Sequence, residues 1–105
     1  MAYTNTQLET LITMLEYNLE IITDYMDTDA KAQKEAQLTQ YIDSAISFIE
    51  REGITLNYNN VGDLMLITMY AAYLYDKRAD GVSVMPRALR YNLNNRVFQE
   101  NVNDA

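Results

Sequence analysis

Apolar residues recur at three- and four-residue spacing near the start of the chain, which predicts an amphipathic helix over about residues 7–20. The apolar positions are Leu8, Leu11, Ile12, Leu15 and Leu19. The segment "TQLE" has the form of a capping box, with Thr6 as the N-cap and Glu9 three residues later. We expect residues 23–29 to form an acidic loop after this helix.

A second apolar stripe predicts a longer helix over residues 30–52. The apolar positions are Leu38, Tyr41, Ile42, Ala45, Phe48 and Ile49, and polar residues lie on the opposite side. Asp29 is the expected N-cap. Gly53 can end the helix in a left-handed conformation, with Ile54 packing back on Ile49.

The third predicted helix, residues 61–79, lacks a polar side over much of its length. Asn60 can cap it, and nearly every residue of 64–75 is apolar. Because a helix that is apolar all round is normally a buried one, we expect it at the centre of the fold.

The fourth predicted helix, residues 86–98, begins at the chain's single proline, which suits the first helical position. Its apolar line consists of Leu89, Leu93 and Val97. Three asparagines within residues 92–95 lower helix propensity, so this helix depends on packing. We expect the tail, residues 99–105, to be frayed.

Together these patterns predict an all-α fold, a small bundle of four helices that forms a single domain over residues 1–105. The third helix is expected to be buried and central, and the fourth to be a short C-terminal docking helix. The longest apolar run, residues 64–75, falls well short of the roughly 20 residues that span a bilayer. With no signal-peptide pattern at the N-terminus, we expect synthesis in the cytoplasm and no membrane insertion.

Charge is unevenly distributed along the chain. The net charge is −7, from 15 acidic and 8 basic residues, which disfavours general binding to nucleic acid or anionic lipid. Residues 1–43 hold eight acids against Lys31 and Lys34, whereas residues 77–96 hold five bases against Asp80. This polarity predicts either head-to-tail self-contact or two different partners at the two ends.

The chain offers little for catalysis or metal binding, since it has no histidine and no cysteine, and we find no glycine-rich phosphate loop. We therefore assign no catalytic, cofactor-binding or metal-binding residue. Asp24, Asp27 and Asp29 could offer oxygen ligands to a cation. Their spacing lacks the glycine and closing glutamate of an EF-hand loop, so capping and solvation explain them better.

Two tyrosines of the third helix are candidates for an interface. Tyr70 and Tyr73 lie three residues apart, close to Met65 and Met69. They either pack in the core, which is the more common role, or belong to an interface rich in tyrosine and methionine.

Arg87, Arg90 and Asn94 are predicted to share one side of the fourth helix, away from its apolar line. Arginine and asparagine at such spacing can read guanine and adenine in DNA, although no helix-turn-helix pattern precedes this helix. Alternatively, they form a polar rim facing acidic residues of another subunit, or they are simply exposed to solvent.

Three segments, taken in order, resemble the small head–tail connector proteins of tailed phages, also called head-completion or DNA-packaging adaptor proteins. The segments are "YIDSAISFIEREGI" (41–54), "MYAAYLYDKRADG" (69–81) and "MPRALRYNLNNRVF" (85–98). The resemblance covers about residues 38–98. The matching positions of the last segment are Met85, Pro86, Leu89, Arg90, Leu93, Asn94 and Phe98. The stretch 17–37 departs from the family in being longer and more acidic.

The resemblance implies a structural role without catalysis or a cofactor. Such adaptors are all-helical and form a closed ring of roughly a dozen copies beneath the portal, where they continue the DNA channel. The implied partners are the portal protein, a tail-side completion protein and further copies of the chain, with DNA passing nearby without specific binding. The implied location is the virion, after synthesis in the host bacterial cytoplasm. The implied docking residues are Arg87, Arg90, Tyr91 and Phe98.

Two other functions stay open. The first is a small DNA-binding or regulatory helical module that uses Arg87, Arg90 and Asn94. The second is a helical scaffold with an unrelated partner.

Overall fold

The computed structural model describes residues 3–80 and 84–104, and within these ranges every regular element is an α-helix. The elements are α1 (Asn5–Leu19), α2 (Thr28–Arg51), α3 (Val61–Asp80) and α4 (Arg87–Asp104). The prediction of an all-α bundle of four helices is therefore confirmed.

Helix α3 is the central element, as predicted, because it packs against α1, α2 and α4. Large, fully buried side chains come from all four helices, and each contributes roughly 1.5–3 kcal/mol by leaving water. These side chains are Leu11, Leu15, Leu38, Ile42, Ile49, Ile67, Leu89 and Leu93. Burial of α3 is incomplete, however, since Met65 is exposed and Met69 is half-buried.

The start of α1 lies earlier than predicted. Thr4, not Thr6, is the N-cap: its hydroxyl accepts a hydrogen bond from the Gln7 N–H at 3.1 Å, and the Gln7 side chain accepts one from the Thr4 N–H at 2.8 Å. The segment "TNTQ" thus forms a capping box that overlaps the one predicted from Thr6 and Glu9. Gln7 also donates to the Asn59 side chain, which favours the earlier start.

The connection between α1 and α2 begins and ends earlier than predicted. Helix α1 ends at Leu19, and Glu20 follows in the left-handed conformation with a φ of 58°. Helix α2 then begins with Asp27 as its N-cap, since the Asp27 carboxylate accepts from the Ala30 N–H at 2.7 Å. The prediction of Asp29 as the cap was wrong. Asp29 lies instead in the first turn, where a carboxylate is stabilised by the helix dipole.

The end of α2 confirms the predicted glycine stop. Gly53 has a φ of +93° and its N–H donates to the Glu50 carbonyl at 3.0 Å. Ile54 and Ile49 are both buried in the core. Because glycine adopts positive φ without a steric penalty, this residue turns the chain towards α3.

The remaining helix ends show one confirmed prediction and one correction. The Asn60 side chain accepts from the Asp63 N–H at 3.1 Å, as expected for the cap of α3. Helix α4 continues to Asp104, so the prediction of a short helix with a frayed tail from residue 99 was wrong. Glu100 explains the difference, because its carboxylate accepts a hydrogen bond from the Thr55 N–H and thereby holds the last turns of α4 against the body.

The molecule is flat rather than spherical. Its extents are 51 × 33 × 18 Å and its radius of gyration is 14.3 Å, against about 13 Å for a compact chain of this length. Among the described residues, no helix combines the length and apolar character required to cross a bilayer.

Candidate functional site

The inner side of α4 attaches this helix to α3. Leu89 and Leu93 are fully buried, and Val97 packs partly buried against the core. These three residues are the apolar line that the sequence predicted, and they fix which side of α4 faces the body.

A buried ion pair adds a polar attachment beside this apolar line. Arg96 Nε donates to Asp63 Oδ1 at 2.8 Å, and Arg96 Nη2 donates to the Thr55 carbonyl at 2.8 Å. The Asp63 side chain is 6% exposed and also accepts from the Asn57 N–H at 2.9 Å. The hydrogen bond to Asp63 raises the pKa of Arg96 above its ordinary value. Both charges are therefore compensated where they are buried, as a stable buried pair requires.

Glu100 completes this attachment at the far end of α4. Its carboxylate lies 3.5 Å from Arg96 Nη1 and accepts from the Thr55 N–H. The hydrogen bond from the Thr55 backbone lowers the pKa of Glu100. Thr55, in the connector between α2 and α3, is thus bonded to α4 through both its N–H and its carbonyl.

Arg90, a predicted docking residue, pairs with its own chain. Its two Nη atoms lie 3.2 Å from the two carboxylate oxygens of Glu52, a bidentate geometry. Arg90 also approaches the Asn94 side chain at 3.4 Å. The hydrogen bond to Glu52 raises the pKa of Arg90. The structure therefore places Arg90 at the junction of α2 and α4 rather than free at the surface.

The opposite side of α4 exposes large apolar side chains. Tyr91 is 66% exposed, Phe98 69% and Val102 55%. Their spacing of seven and four residues aligns them on one side of the helix. Arg87 and Asn94 are exposed alongside them. We call these five residues the outer face of α4.

The sequence predicted four members of the outer face and missed the fifth. Arg87, Tyr91, Asn94 and Phe98 were predicted interface residues, whereas Val102 lies in the segment predicted to be frayed. The available signal was that Val102 follows Phe98 by four residues. This spacing places the two side chains on one side of the helix only if α4 continues as far as residue 102.

The candidate tyrosines of α3 are placed differently from each other. Tyr70 is 7% exposed and stacks on Phe48, with ring centroids 5.8 Å apart, so it belongs to the core. Burial raises the pKa of Tyr70. Tyr73 is half-buried and meets the edge of Tyr70 with ring centroids 6.0 Å apart. Neither tyrosine belongs to the outer face of α4.

Basic side chains from α2 and α3 contact Tyr75 of their own chain. The guanidinium carbon of Arg78 lies 3.9 Å from the centre of the Tyr75 ring, and Lys34 Nζ donates to the Tyr75 hydroxyl at 2.7 Å. The bond from Lys34 lowers the pKa of the Tyr75 phenol. The basic segment predicted between residues 77 and 96 is thus largely engaged within the molecule.

A second exposed apolar surface lies between α1 and α3. It is an open groove of about 380 Å³, which we call the α1–α3 groove. Three of its side chains come from α1 and three from α3. They are Met14, Tyr17, Asn18, Met65, Thr68 and Met69. The sequence indicated Met65 and Met69 only as neighbours of Tyr70 and Tyr73 in a possible interface, and it indicated none of the residues from α1.

A larger, polar groove of about 670 Å³ lies between α3 and α4. Side-chain amides dominate its lining, which also includes Met65 and Met69 from the edge of the α1–α3 groove. The amide side chains are Asn57, Asn60, Asn92, Asn95 and Gln99. Within the described ranges, no group of three or more carboxylate side chains is positioned to hold a metal ion.

No protein-family model, curated protein or solved structure matches the chain significantly. The likeness to head–tail connector proteins therefore rests on the three segments within residues 41–98.

Proposed function

We propose that the chain is a structural adaptor of a tailed phage or prophage, forming a ring that joins the portal to the tail-side proteins and continues the DNA channel. The observation that carries this proposal is the outer face of α4. This helix is attached to the body by a buried ion pair, yet it exposes Tyr91, Phe98 and Val102 on its opposite side.

An apolar stripe on each side of one helix is typical of a helix that is covered from both sides. Single exposed apolar residues are common on protein surfaces, but here three large ones are aligned on one side of one helix. Tyrosine and phenylalanine are also enriched where proteins meet. The outer face of α4 therefore has the composition of a protein–protein contact.

Contacts between two of the three family-like segments support the same proposal. Glu52 belongs to the first segment and Arg90 to the third, and the two form the bidentate ion pair between α2 and α4. Residues that carry the resemblance thus contact each other across 38 positions of sequence. The net charge of −7 suits a channel wall along which DNA slides without adhering.

The DNA-binding alternative has less support from the geometry. Arg90 and Arg96 are both engaged by carboxylates of their own chain. From residue 87 to residue 102, the outer face carries a single basic side chain, Arg87. Non-specific affinity for DNA requires several phosphate contacts, and one arginine on an acidic protein supplies too few.

Electron microscopy of the purified chain tests the proposed ring directly. At high protein concentration we expect annular particles with a central opening, and we expect Tyr91→Ser combined with Phe98→Ser to abolish them. Single small particles that are the same in the wild type and the double variant would contradict the proposal.

Titration of a fluorescent DNA duplex tests the alternative. We expect no binding at ordinary salt. Binding that weakens steeply with salt and is lost in Arg87→Ala would favour the DNA-binding function instead.

A further inference from the structure

We propose that Lys34, Tyr75 and Arg78 form a binding site for a small phosphate anion. We call these three residues the Tyr75 site. The site is independent of the proposed ring, because none of its residues belongs to the outer face of α4.

Two cationic side chains from different helices meet at one phenol. Lys34 of α2 donates from Nζ to the hydroxyl of Tyr75 in α3 at 2.7 Å. The guanidinium carbon of Arg78 lies over the ring of Tyr75, 3.9 Å from its centre. Lys34 Nζ is 5.0 Å from the same centre, near the hydroxyl end of the ring. The ammonium and the guanidinium therefore approach Tyr75 from different sides.

No carboxylate among the described residues neutralises these two positive charges. The ion pairs found there involve Arg90 and Arg96 instead. The sequence positions three and four residues from Lys34 and from Arg78 contain no aspartate or glutamate. Because side chains at this spacing are neighbours on a helix surface, neither α2 nor α3 supplies its own cation with a counterion.

The Tyr75 site offers several hydrogen-bond donors. Lys34 uses two of its three N–H groups, one for the Gln37 side chain at 3.2 Å and one for the Tyr75 oxygen. Because that oxygen accepts from Lys34, the phenol hydrogen is directed elsewhere, and the described residues provide no acceptor for it. The guanidinium of Arg78 only donates. An anion with several oxygen atoms can accept from all three side chains at once.

The local electrostatics of the Tyr75 site favour negative charge, although the chain as a whole has a net charge of −7. The hydrogen bond from Lys34 lowers the pKa of the Tyr75 phenol, and Arg78 lowers it further. A lowered phenol pKa means that the surroundings stabilise the phenolate. The same two cations would stabilise an anion bound beside the hydroxyl.

The arrangement suits a phosphate better than a carboxylate or a DNA duplex. A phosphate presents oxygen atoms in several directions, which matches donors on different sides of one ring, whereas the two oxygens of a carboxylate lie in one plane. Guanidinium groups also bind phosphate through paired hydrogen bonds. Arg78 is exposed, so an anion can reach it from solvent. Two cations on an acidic chain provide too few phosphate contacts to hold duplex DNA at ordinary salt.

An NMR titration with sodium phosphate tests the site, with the ionic strength held constant by sodium chloride. The side-chain resonances of Lys34 and Arg78 should shift to saturation, as should those of a carbon-13-labelled Tyr75 ring, which Tyr75→Phe identifies. Bound phosphate should also raise the pKa of the Tyr75 phenol, because a neighbouring anion opposes its ionisation.

Two charge-removing variants give the matched comparison. Arg78→Gln should weaken phosphate binding roughly tenfold or more, the loss expected for a hydrogen bond to a charged group. Lys77→Gln removes the same charge from the preceding residue, whose Nζ lies 5.9 Å from the centre of the Tyr73 ring, and should leave binding nearly unchanged. Circular dichroism checks that both variants keep their helical content.

Each alternative result would overturn the proposal. Shifts that do not saturate, or that sodium acetate produces equally, would show that the site does not select phosphate. Equal weakening in Arg78→Gln and Lys77→Gln would indicate only the general charge of the surface. Binding of a DNA duplex at ordinary salt that is lost in Arg78→Gln, without any response to free phosphate, would assign these residues to DNA instead.

Discussion

The contact between Asp63 and Arg96 is the most buried charge pair among the described residues. Asp63 lies in the first turn of α3 and Arg96 lies in α4, and their side chains are 6% and 17% exposed. The pair therefore fixes α4 against the start of α3. Removing one charge would leave the other buried without its partner, and this is far more costly than losing an ion pair at the surface.

We expect Asp63→Asn to lower the free energy of unfolding by about 3 kcal/mol, since it removes the nearer and more buried of the two carboxylates that compensate the Arg96 guanidinium. Urea denaturation measures the loss. Glu52→Gln is the matched control, because it removes the more exposed pair with Arg90 and should cost less than about 1 kcal/mol. Equal losses in the two variants would contradict the assignment of Asp63 as the principal attachment.

Glu16 is expected to destabilise the fold at neutral pH. One of its carboxylate oxygens is buried without a hydrogen-bond partner, and burial, with a further contribution from Glu35, raises its pKa above the usual 4.5. A raised pKa in the folded state means that the stabilising contribution is complete below pH 4.5 and is lost as the pH rises through the folded-state pKa.

Glu16→Gln should therefore raise the melting temperature by a few degrees at pH 7 and much less at pH 4. Thermal unfolding followed by circular dichroism at both pH values measures the difference. Glu9→Gln, at an exposed position of the same helix, is the control. A stabilisation by Glu16→Gln that is the same at both pH values would refute this account of the carboxylate.

The arginines show why part of the candidate site could not be predicted from sequence. The sequence gives no sign that Arg90 and Arg96 form ion pairs within the chain, because no local pattern identifies their partners. Their carboxylate partners, Glu52 and Asp63, lie 38 and 33 residues away. Tyr91 and Phe98, by contrast, were predicted as docking residues from the resemblance, and both fall opposite the apolar line of α4, where they are exposed.

At the level of whole elements, periodicity identified all four helices, but local signals placed some of their ends wrongly. The start of α1 was misplaced because two capping patterns overlap, and the choice between them depends on Gln7 reaching Asn59. The end of α4 was misplaced because its last turns depend on Glu100 contacting Thr55, a contact that only the folded chain brings about. Where the signal was local, as at Gly53, the prediction was confirmed.

We expect Gly53→Ala to destabilise the chain by about 1 kcal/mol, the penalty for a side chain in a left-handed conformation. A Cβ added at Gly53 would meet no heavy atom within 4 Å, so the penalty is purely conformational. Gly53→Asn should cost less, because asparagine tolerates this region better. Urea denaturation separates the two variants, and an alanine variant as stable as the wild type would rule out this role for the glycine.

The last turns of α4 should loosen when Glu100 is removed. In Glu100→Ala, we expect faster hydrogen exchange at α4 amides after residue 96, since the bonds to Arg96 and Thr55 are lost. Gln99→Ala changes the preceding, exposed residue and should leave exchange unchanged. Equal exchange in the two variants would mean that packing alone holds the end of this helix.

At the scale of the whole molecule, the flat shape leaves two apolar surfaces uncovered. The outer face of α4 and the α1–α3 groove consist of different residues of a body 18 Å thick in its shortest dimension. The proposed assembly with further copies would cover the outer face of α4.

Native mass spectrometry over a series of protein concentrations tests the assembly most directly. For the wild type we predict one closed species of roughly a dozen copies whose stoichiometry does not change with concentration. The Tyr91→Ser, Phe98→Ser double variant should be monomeric while keeping its helical content. A wild-type protein that is monomeric at every concentration, or a stable dimer that the double substitution leaves intact, would contradict the account.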